Sequence, residues 1–245
     1  MGDVRAVRPA RPNLWAGGLT SYAFGVEATI GQNPMRYLLA RRFDQASPTR
    51  AVTMLFVMRP QVLYGTYVRI SEGAAGDCEI HTFLPTMARP VKVAEASTFD
   101  CLPLTDVGYV DLMAWPHPGL RALGERGAAL DPGLDIEAAS ATVTLHYAGP
   151  PSVPGLRVCD VVDVEFSMLV RRILYRDERQ VRRWEISEHG GAGEETLPVR
   201  IKVARPQTGH ATEFVRAGAA IAVPPDLFNG TPAGLRSWIA ERLIG

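Results

Sequence analysis

The hydrophobic residues of this chain fall in short runs, rich in β-branched, aromatic or Met side chains and separated by Gly, Pro and other turn residues. Runs of this kind predict β-strands. In the first half of the chain they predict strands at 19–28, 35–43, 50–58, 64–70, 79–84 and 91–94. In the second half they predict strands at 141–147, 156–162, 165–175, 179–186, 197–204 and 211–215.

Many neighbouring runs are joined by hairpin-length turns, of which 174–181 is the clearest. Strands joined in this way form an antiparallel meander. A meander of roughly a dozen strands must curl or close, because large open sheets twist strongly. The pattern therefore predicts an all-β fold with few helices, built on one curved antiparallel sheet.

Three segments have helical character. Residues 104–115 predict a helix with Thr105 or Asp106 as its cap, and residues 118–124 predict one or two further helical turns. The last segment runs from Thr231 to 243, with a proline in its first turn and one apolar side.

The 245 residues suit one large all-β domain or two small ones. Gly and Pro residues are concentrated in 116–137, which we expect to connect two halves of one sheet. Residues 1–18 predict an irregular N-terminal arm, because prolines interrupt every apolar run there. We therefore expect a single domain spanning 1–245.

Two predicted strands are apolar on both faces. Residues 51–58 have no polar alternation apart from one threonine, and 165–170 are nearly as apolar. A sheet with one wet face would alternate apolar and polar residues. Both faces of these strands must therefore meet apolar groups. One face could line an apolar cavity, or both could belong to a thick two-layer core.

The 26 basic and 26 acidic side chains balance, which argues against nucleic acid and against a polybasic membrane surface as partners. No apolar run is long enough for an integral membrane span. The first residues lack the pattern of a signal peptide, so the sequence predicts a cytoplasmic location.

Metal and cofactor signatures are missing from the sequence. The three cysteines, Cys78, Cys101 and Cys159, are too widely spaced for a disulfide framework or for the usual zinc site. The histidines are scattered, and His117 and His189 are predicted to be exposed. No P-loop or dinucleotide-binding motif occurs. We expect no metal and no cofactor.

An ordered set of motifs lies between residues 50 and 113. An apolar strand ends in Arg59-Pro60, and a strand with Gly65-Thr66 follows. Next come Phe83-Leu84-Pro85, an arginine a few residues on, and Thr105-Asp106 with Tyr109 and Asp111-Leu112. In this order the motifs resemble those of the outer-membrane lipoprotein-sorting protein family and its LolA-like relatives.

The resemblance implies a strongly curved, incomplete antiparallel barrel, or half-barrel. Helices would form a lid over an apolar cavity on its concave side, which would hold acyl chains or other hydrophobic ligands. Family members are normally exported, whereas this chain shows neither an export signal nor a lipid-attachment cysteine near its start. The chain would thus be an atypical cytoplasmic member, which argues against a transport role.

The candidate acids and hydrogen-bond donors are Asp106, Tyr109, Glu165 and Glu185. Asp106 and Tyr109 are three residues apart and share one side of the predicted helix, although Asp106 could equally cap it or pair with an arginine. Glu165 and Glu185 lie beside aromatic residues. A carboxyl group on an apolar wall would have a raised pKa, whereas a salt bridge with an arginine is the plainer interpretation.

The second half of the chain carries a cluster of arginines at 171, 172, 176, 179, 182 and 183. Strand alternation divides the cluster between two sheet faces, and acidic residues dilute it, which predicts a solvated hairpin. One arginine turned inward could still hold a ligand carboxylate.

The large apolar residues on the two-sided strands are predicted to line the cavity. They are Met54, Phe56, Met58, Tyr67, Phe83, Phe166, Met168 and Trp184. The expected partner is a hydrophobic small molecule or a lipid-like ligand, which the protein would bind and enclose. The alternative is a biosynthetic enzyme of the cyclase or isomerase type, acting on an apolar polyketide- or terpenoid-like substrate by shape and by one or two acids or hydrogen-bond donors. The sequence leaves the oligomeric state open.

Overall fold

The structure, a computed structural model, describes residues 11–30, 33–47, 49–73, 76–102, 105–125, 142–164, 166–190 and 197–244. Within these ranges the strands are β1 (Ser21–Ile30), β2 (Asn33–Phe43), β3 (Ala51–Arg59), β4 (Tyr67–Glu72), β5 (Cys78–Phe83), β6 (Val91–Lys92), β7 (Arg121–Glu125), β8 (Thr142–Ala148), β9 (Leu156–Asp163), β10 (Met168–Arg176), β11 (Arg179–His189), β12 (Pro198–Arg205) and β13 (His210–Ala222). The helices are α1 (Tyr109–Leu112) and α2 (Pro232–Leu243), with three short 3-10 helices at Gln61–Leu63, Glu95–Ser97 and Pro225–Asn229.

All thirteen described strands belong to one curved antiparallel sheet that does not close into a barrel. Its order is β6-β5-β4-β3-β2-β1-β13-β12-β11-β10-β9-β8-β7, so every neighbour except one is also a neighbour along the chain. The exception is β1 beside β13, which joins the two halves. The all-β half-barrel predicted from the sequence is confirmed.

The strand order explains why a segment must cross the open side of the sheet. Strands β6 and β7 are consecutive along the chain, yet they lie at opposite ends of the sheet. The chain between them therefore has to pass from one edge to the other. We call residues 99–102 and 105–115 the lid segment, because their apolar side chains pack against the concave face of the sheet.

The main hydrophobic core lies between the concave face and the lid segment. The sheet contributes alternate residues of its strands, such as Tyr22 and Phe24 from β1 and Tyr37 and Leu39 from β2. The buried apolar residues of the lid segment are Phe99, Leu102, Val107, Tyr109, Val110, Leu112, Met113 and Ala114.

A second, smaller core lies on the convex face. The side chains that alternate with those of the main core, among them Leu38 and Phe56, pack there against Leu235 and Ile239 of α2. The two apolar faces of β3 are thus covered by different elements, the lid segment on one side and α2 on the other. Of the two interpretations of residues 51–58, the one in which both faces of the strand belong to a two-layer core therefore describes β3.

The C-terminal helix forms as predicted. Thr231 is its N-cap, and its side-chain oxygen accepts a hydrogen bond from the N–H of Gly234 at 3.1 Å. Pro232 occupies the first turn, where its missing N–H costs no hydrogen bond.

Of the helices in the described ranges, none has the length and apolar character needed to cross a membrane.

The other two helix predictions need correction. Within the predicted helix 104–115, only Tyr109–Leu112 is helical, and residue 104 lies outside the described residues. The rest consists of bends and irregular backbone, and side chains of the sheet bind the main chain of this segment, as described below. The predicted helical turns at 118–124 are wrong: Arg121–Glu125 forms β7 and pairs with β8. Pairing with a neighbouring strand outweighed the weak local pattern.

Burial of α2 on the convex face predicts a large effect of truncating Ile239, which is fully buried there. The substitution Ile239→Ala should lower the free energy of unfolding by about 2–5 kcal/mol, because it leaves a cavity between the helix and the sheet. Denaturant titration followed by circular dichroism measures this change. Glu241→Ala on the exposed side of the same helix is the control and should cost less than about 0.5 kcal/mol. Equal losses in the two variants would contradict the placement of α2.

Candidate functional site

A small apolar cavity lies between the concave face and the lid segment. Its volume is about 50 Å³. The sheet and the N-terminal arm contribute Leu14, Phe24, Val26, Tyr37, Leu39, Leu55, Trp184, Ile201 and Phe214 to its wall, and the lid segment contributes Thr105, Val107 and Leu112. Almost the entire wall is hydrocarbon, so the cavity suits apolar groups.

The lid segment has little secondary structure, and buried side chains of the concave face bind its main chain. Arg41 of β2 is completely buried. Its guanidinium group donates to the carbonyl oxygens of Asn13 and Leu112, and its Nε donates to the hydroxyl of Thr53 at 2.9 Å. One arginine thereby connects the N-terminal arm, the lid segment and the sheet.

A second buried arginine, Arg172 of β10, holds the middle of the lid segment. Its Nε and Nη2 donate to the two carboxylate oxygens of Asp160, both at 2.7 Å, and its Nη1 donates to the carbonyl of Val110 at 2.5 Å. Burial by itself would lower the pKa of Arg172, but the Asp160 carboxylate raises the pKa above its ordinary value. The guanidinium group therefore stays charged inside the protein.

A third buried arginine, Arg182 of β11, holds the start of the lid segment. Its Nη1 donates to the carbonyl of Phe99 at 3.0 Å, and its Nε lies 2.9 Å from a carboxylate oxygen of Asp111. The guanidinium group lies so close to Gly108 that a Cβ atom there would be 2.0 Å from Nη2. Gly108 is therefore required for this close approach.

Two carboxylates, one from the sheet and one within the lid segment, accept hydrogen bonds from the main chain of that segment. Glu72 of β4 accepts hydrogen bonds from the N–H groups of Ala114 and Trp115, both at 2.9 Å. Burial raises the pKa of Glu72, and the nearby Arg41 and the two N–H groups oppose that rise. Asp111 accepts a hydrogen bond from the N–H of Gly108 at 2.8 Å, which fixes the start of α1.

Asp106, a candidate acid, attaches the lid segment to β13. One of its carboxylate oxygens lies 2.6 Å from Nδ1 of His210 and accepts a hydrogen bond from the hydroxyl of Thr212 at 2.5 Å. Arg205 lies 3.9 Å from the other oxygen. Asp106 is buried, and these contacts engage its carboxylate in holding the lid.

The other three candidate acids and donors are dispersed. Tyr109 is buried at the start of α1, and burial raises the pKa of its phenol. Glu185 pairs with Arg171 and Arg183 on the convex face of the sheet, with a distance of 2.6 Å to Arg183. Glu165 lies outside the described residues. Within the described residues, Asp106 and Tyr109 both lie in the lid segment, and Glu185 lies apart from them on the convex face.

The predicted wall residues divide between the two faces. Trp184 lines the cavity, and Met168 belongs to the concave core. Four others lie in the convex cluster under α2, namely Met54, Phe56, Met58 and Tyr67. Phe83 stacks on Tyr67 with ring centroids 5.3 Å apart, and Phe166 is 47% exposed in the turn before β10. The two-sided apolar pattern identified buried or partly buried positions, except at Phe166, but could not show which face meets the cavity.

The arginines that hold the lid are the residues that the sequence pattern missed. The sequence predicted that the arginine cluster of β10 and β11 is solvated, with at most one arginine turned inward to hold a ligand. In the structure two of them, Arg172 and Arg182, point inward, and they bind the main chain of the lid segment. Arg41 carried a usable signal, because it follows Tyr37 and Leu39 in the inward alternation of an apolar strand. His117 was predicted to be exposed, but it is buried. Its ring makes an edge-to-face contact with Phe99, with the ring centroids 5.1 Å apart.

The described residues contain no group of three or more His, Cys, Asp or Glu side chains that could hold a metal ion.

Several solved structures share this fold. A DUF1329 family protein from Desulfovibrio piger has a TM-score of 0.67 and 14% identity, covering 89% of this chain and 92% of its own. An outer-membrane lipoprotein-sorting protein domain from Vibrio parahaemolyticus has a TM-score of 0.67 and 12% sequence identity, and the match covers 86% of this chain and 90% of that domain. A LolA superfamily protein from Nitrosomonas europaea has a TM-score of 0.61 and 14% sequence identity, and the match covers 88% of this chain and 92% of that protein.

These likenesses confirm, at the level of the fold, the resemblance to LolA-like proteins that the motifs between 50 and 113 predicted. Sequence identities this low support a shared fold but do not show a shared activity. No family model matches the sequence, and no curated protein matches it.

The buried pair of Arg172 and Asp160 predicts that truncating the arginine is strongly destabilising. Arg172→Met should lower the free energy of unfolding by about 3–5 kcal/mol, because it leaves the Asp160 carboxylate buried without a partner. The control is Arg171→Met, the adjacent arginine on the convex face, whose partly exposed pair with Glu185 should contribute about 0–1 kcal/mol. Chemical denaturation measures both values, and a small effect of Arg172→Met would contradict this role.

Burial of His117 predicts a loss of stability in acid. Burial lowers the pKa of this imidazole, so below its ordinary pKa of about 6.5 the unfolded chain binds a proton that the folded chain excludes. The free energy of unfolding is thus unaffected by this group above that pH. As the pH falls below it, the free energy of unfolding decreases by up to about 1.4 kcal/mol for each pH unit.

The variant His117→Asn removes this titration and keeps an acceptor for the N–H of Gly119, which His117 Nδ1 binds at 3.0 Å. Unfolding free energies measured between pH 7.5 and 5 should fall less steeply in this variant than in the wild type. His189→Asn, at an exposed histidine, should leave the wild-type slope unchanged. Identical slopes for wild type and His117→Asn would contradict the assignment.

Proposed function

We propose that this LolA-like half-barrel binds a hydrophobic small molecule or a lipid-like ligand and encloses it between the concave face and the lid segment. The observation that carries the proposal is the apolar cavity, whose wall is shared by the sheet and by the lid segment. A wall built from two separate elements can be opened by moving one of them. One neighbour in the fold is a lipoprotein-sorting protein domain, which is consistent with a hydrophobic ligand on this side of the sheet.

The size of the cavity indicates that ligand entry requires movement of the lid segment. Sites for small ligands usually have volumes of about 300–1,000 Å³, whereas this cavity has about 50 Å³. A ligand would therefore take the place of lid side chains such as Val107 and Leu112 against the concave face. The structure then represents the closed state, in which the lid segment itself fills most of the binding space.

The wall composition favours binding over the alternative of cyclisation. None of the cavity-lining residues in the described ranges carries a carboxyl group. Asp106, the candidate acid within the lid segment, is engaged with His210 and Thr212. A cyclase that depends on acid catalysis would need a free acid in contact with its substrate. The cytoplasmic location stays a prediction from the sequence.

A pair of identical substitutions on opposite faces of the sheet tests the proposal. Ile201 is a half-buried wall residue of the cavity on β12, and Ile221 is a half-buried residue of the convex cluster on β13. Ile201→Trp should fill the cavity and weaken binding of the neutral fluorescent probe N-phenyl-1-naphthylamine at least tenfold. Ile221→Trp should leave the affinity within about twofold of the wild type, although both changes add similar bulk.

The binding measurement is a fluorescence titration of the probe with the full chain, and thermal melts of both variants confirm that they fold. The proposal fails if the wild type does not bind the probe. It also fails if Ile201→Trp binds as well as Ile221→Trp, because the probe would then lie elsewhere.

A further inference from the structure

One residue of the cavity wall carries a buried hydroxyl group that has no hydrogen-bond partner within the described residues. Tyr37 lies on β2, lines the cavity and is 2% exposed. Its hydroxyl oxygen is buried and makes no hydrogen bond to any of the described residues. By contrast, the hydroxyl of Tyr22 on the neighbouring strand donates to the carbonyl of Leu14 at 2.5 Å. A tyrosine hydroxyl left unpaired in the interior is unusual, because buried polar groups are nearly always satisfied.

No other wall group within the described residues satisfies this hydroxyl. The hydroxyl of Thr105 donates to the main-chain carbonyls of Leu102 and Val107, at 3.4 and 3.2 Å. The ring of Tyr37 packs against Phe214, with centroids 6.2 Å apart. Phenylalanine would fill the same apolar space without the cost of burying a hydroxyl, so the structure offers the hydroxyl no stabilising role.

The charge around Tyr37 limits what its hydroxyl can bind. Its pKa is raised by burial and, second, by the negative charge of Asp106, so the phenol is neutral and available as a donor. An anionic group at this hydroxyl would face the same carboxylate charge within a medium of low dielectric constant. The buried guanidinium groups of Arg172 and Arg182 are already matched by Asp160 and Asp111. A neutral acceptor meets no such repulsion.

We propose that Tyr37 determines the class of ligand: an apolar chain that carries an uncharged hydrogen-bond acceptor, such as an ester, amide or ketone carbonyl, which accepts a hydrogen bond from the Tyr37 hydroxyl. The inference rests on the proposed function, because it assigns a specificity to the same cavity. It distinguishes neutral carbonyl-bearing chains from free fatty acids and from plain hydrocarbons.

Three probes of equal chain length test the inference with the full-length protein. They are octane, 2-octanone and octanoate at pH 8, each measured by displacement of N-phenyl-1-naphthylamine. Tyr37→Phe should weaken 2-octanone binding about tenfold, the value of one hydrogen bond to an otherwise unpaired buried group. The affinity for octane should change less than twofold, because the apolar wall is unchanged. In the wild type, 2-octanone should bind at least tenfold more tightly than octanoate.

The matched control is Tyr64→Phe, which removes the hydroxyl of a tyrosine that is 38% exposed outside the cavity and should alter none of the three affinities. Equal affinity of wild type and Tyr37→Phe for 2-octanone, with octane still bound, overturns the inference and leaves the proposed function standing. Tighter binding of octanoate than of 2-octanone overturns the preference for neutral ligands. Failure of the wild type to bind octane and 2-octanone overturns the proposed function as well.

A ligand-free measurement separates this specificity role from a structural one. Because the Tyr37 hydroxyl has no partner, Tyr37→Phe should melt at the same temperature as the wild type or at a higher one. A lower melting temperature would show that the hydroxyl stabilises the fold, which contradicts the role proposed here.

Discussion

The arrangement of the concave side of this protein depends on how the main chain of the lid segment is hydrogen-bonded in the interior. Buried peptide groups must be hydrogen-bonded, and this segment has almost no helix or strand to supply the bonds. Arg41, Arg172 and Arg182 donate to its carbonyl groups, and Glu72 accepts from its N–H groups. These long side chains extend from the concave face, so the lid segment can lie across the sheet without joining it.

This arrangement follows from the topology and has consequences for the cavity. The chain has to travel between two sheet edges that lie at opposite ends of the strand order, and the concave side is the short route. The apolar side chains of the crossing segment then cover the concave core, while its polar main chain is held at a few points. A segment held at points can detach from an apolar surface more readily than a strand that is paired along its length.

The convex face shows a different solution to the same problem of covering apolar surface. There α2 satisfies its own main chain through helical hydrogen bonds, and only its side chains contact the sheet. The helix needs no buried arginines from the sheet. The buried arginines that bind main-chain carbonyl groups therefore extend from the concave face, and the convex side is a conventional apolar core.

Local patterns in the sequence were sufficient for the strands, for the cap and stripe of α2 and for the motif order between 50 and 113, because strand alternation and helix capping involve neighbouring residues. They could not determine that Met54 and Phe56 face α2 while Leu55 faces the cavity, since alternation separates the two faces without showing what covers each. The inward direction of Arg172 and Arg182 was likewise undetermined. Their charges are stable inside only because Asp160, Asp111 and the lid main chain meet them there, and those partners lie 12 to 83 residues away along the chain.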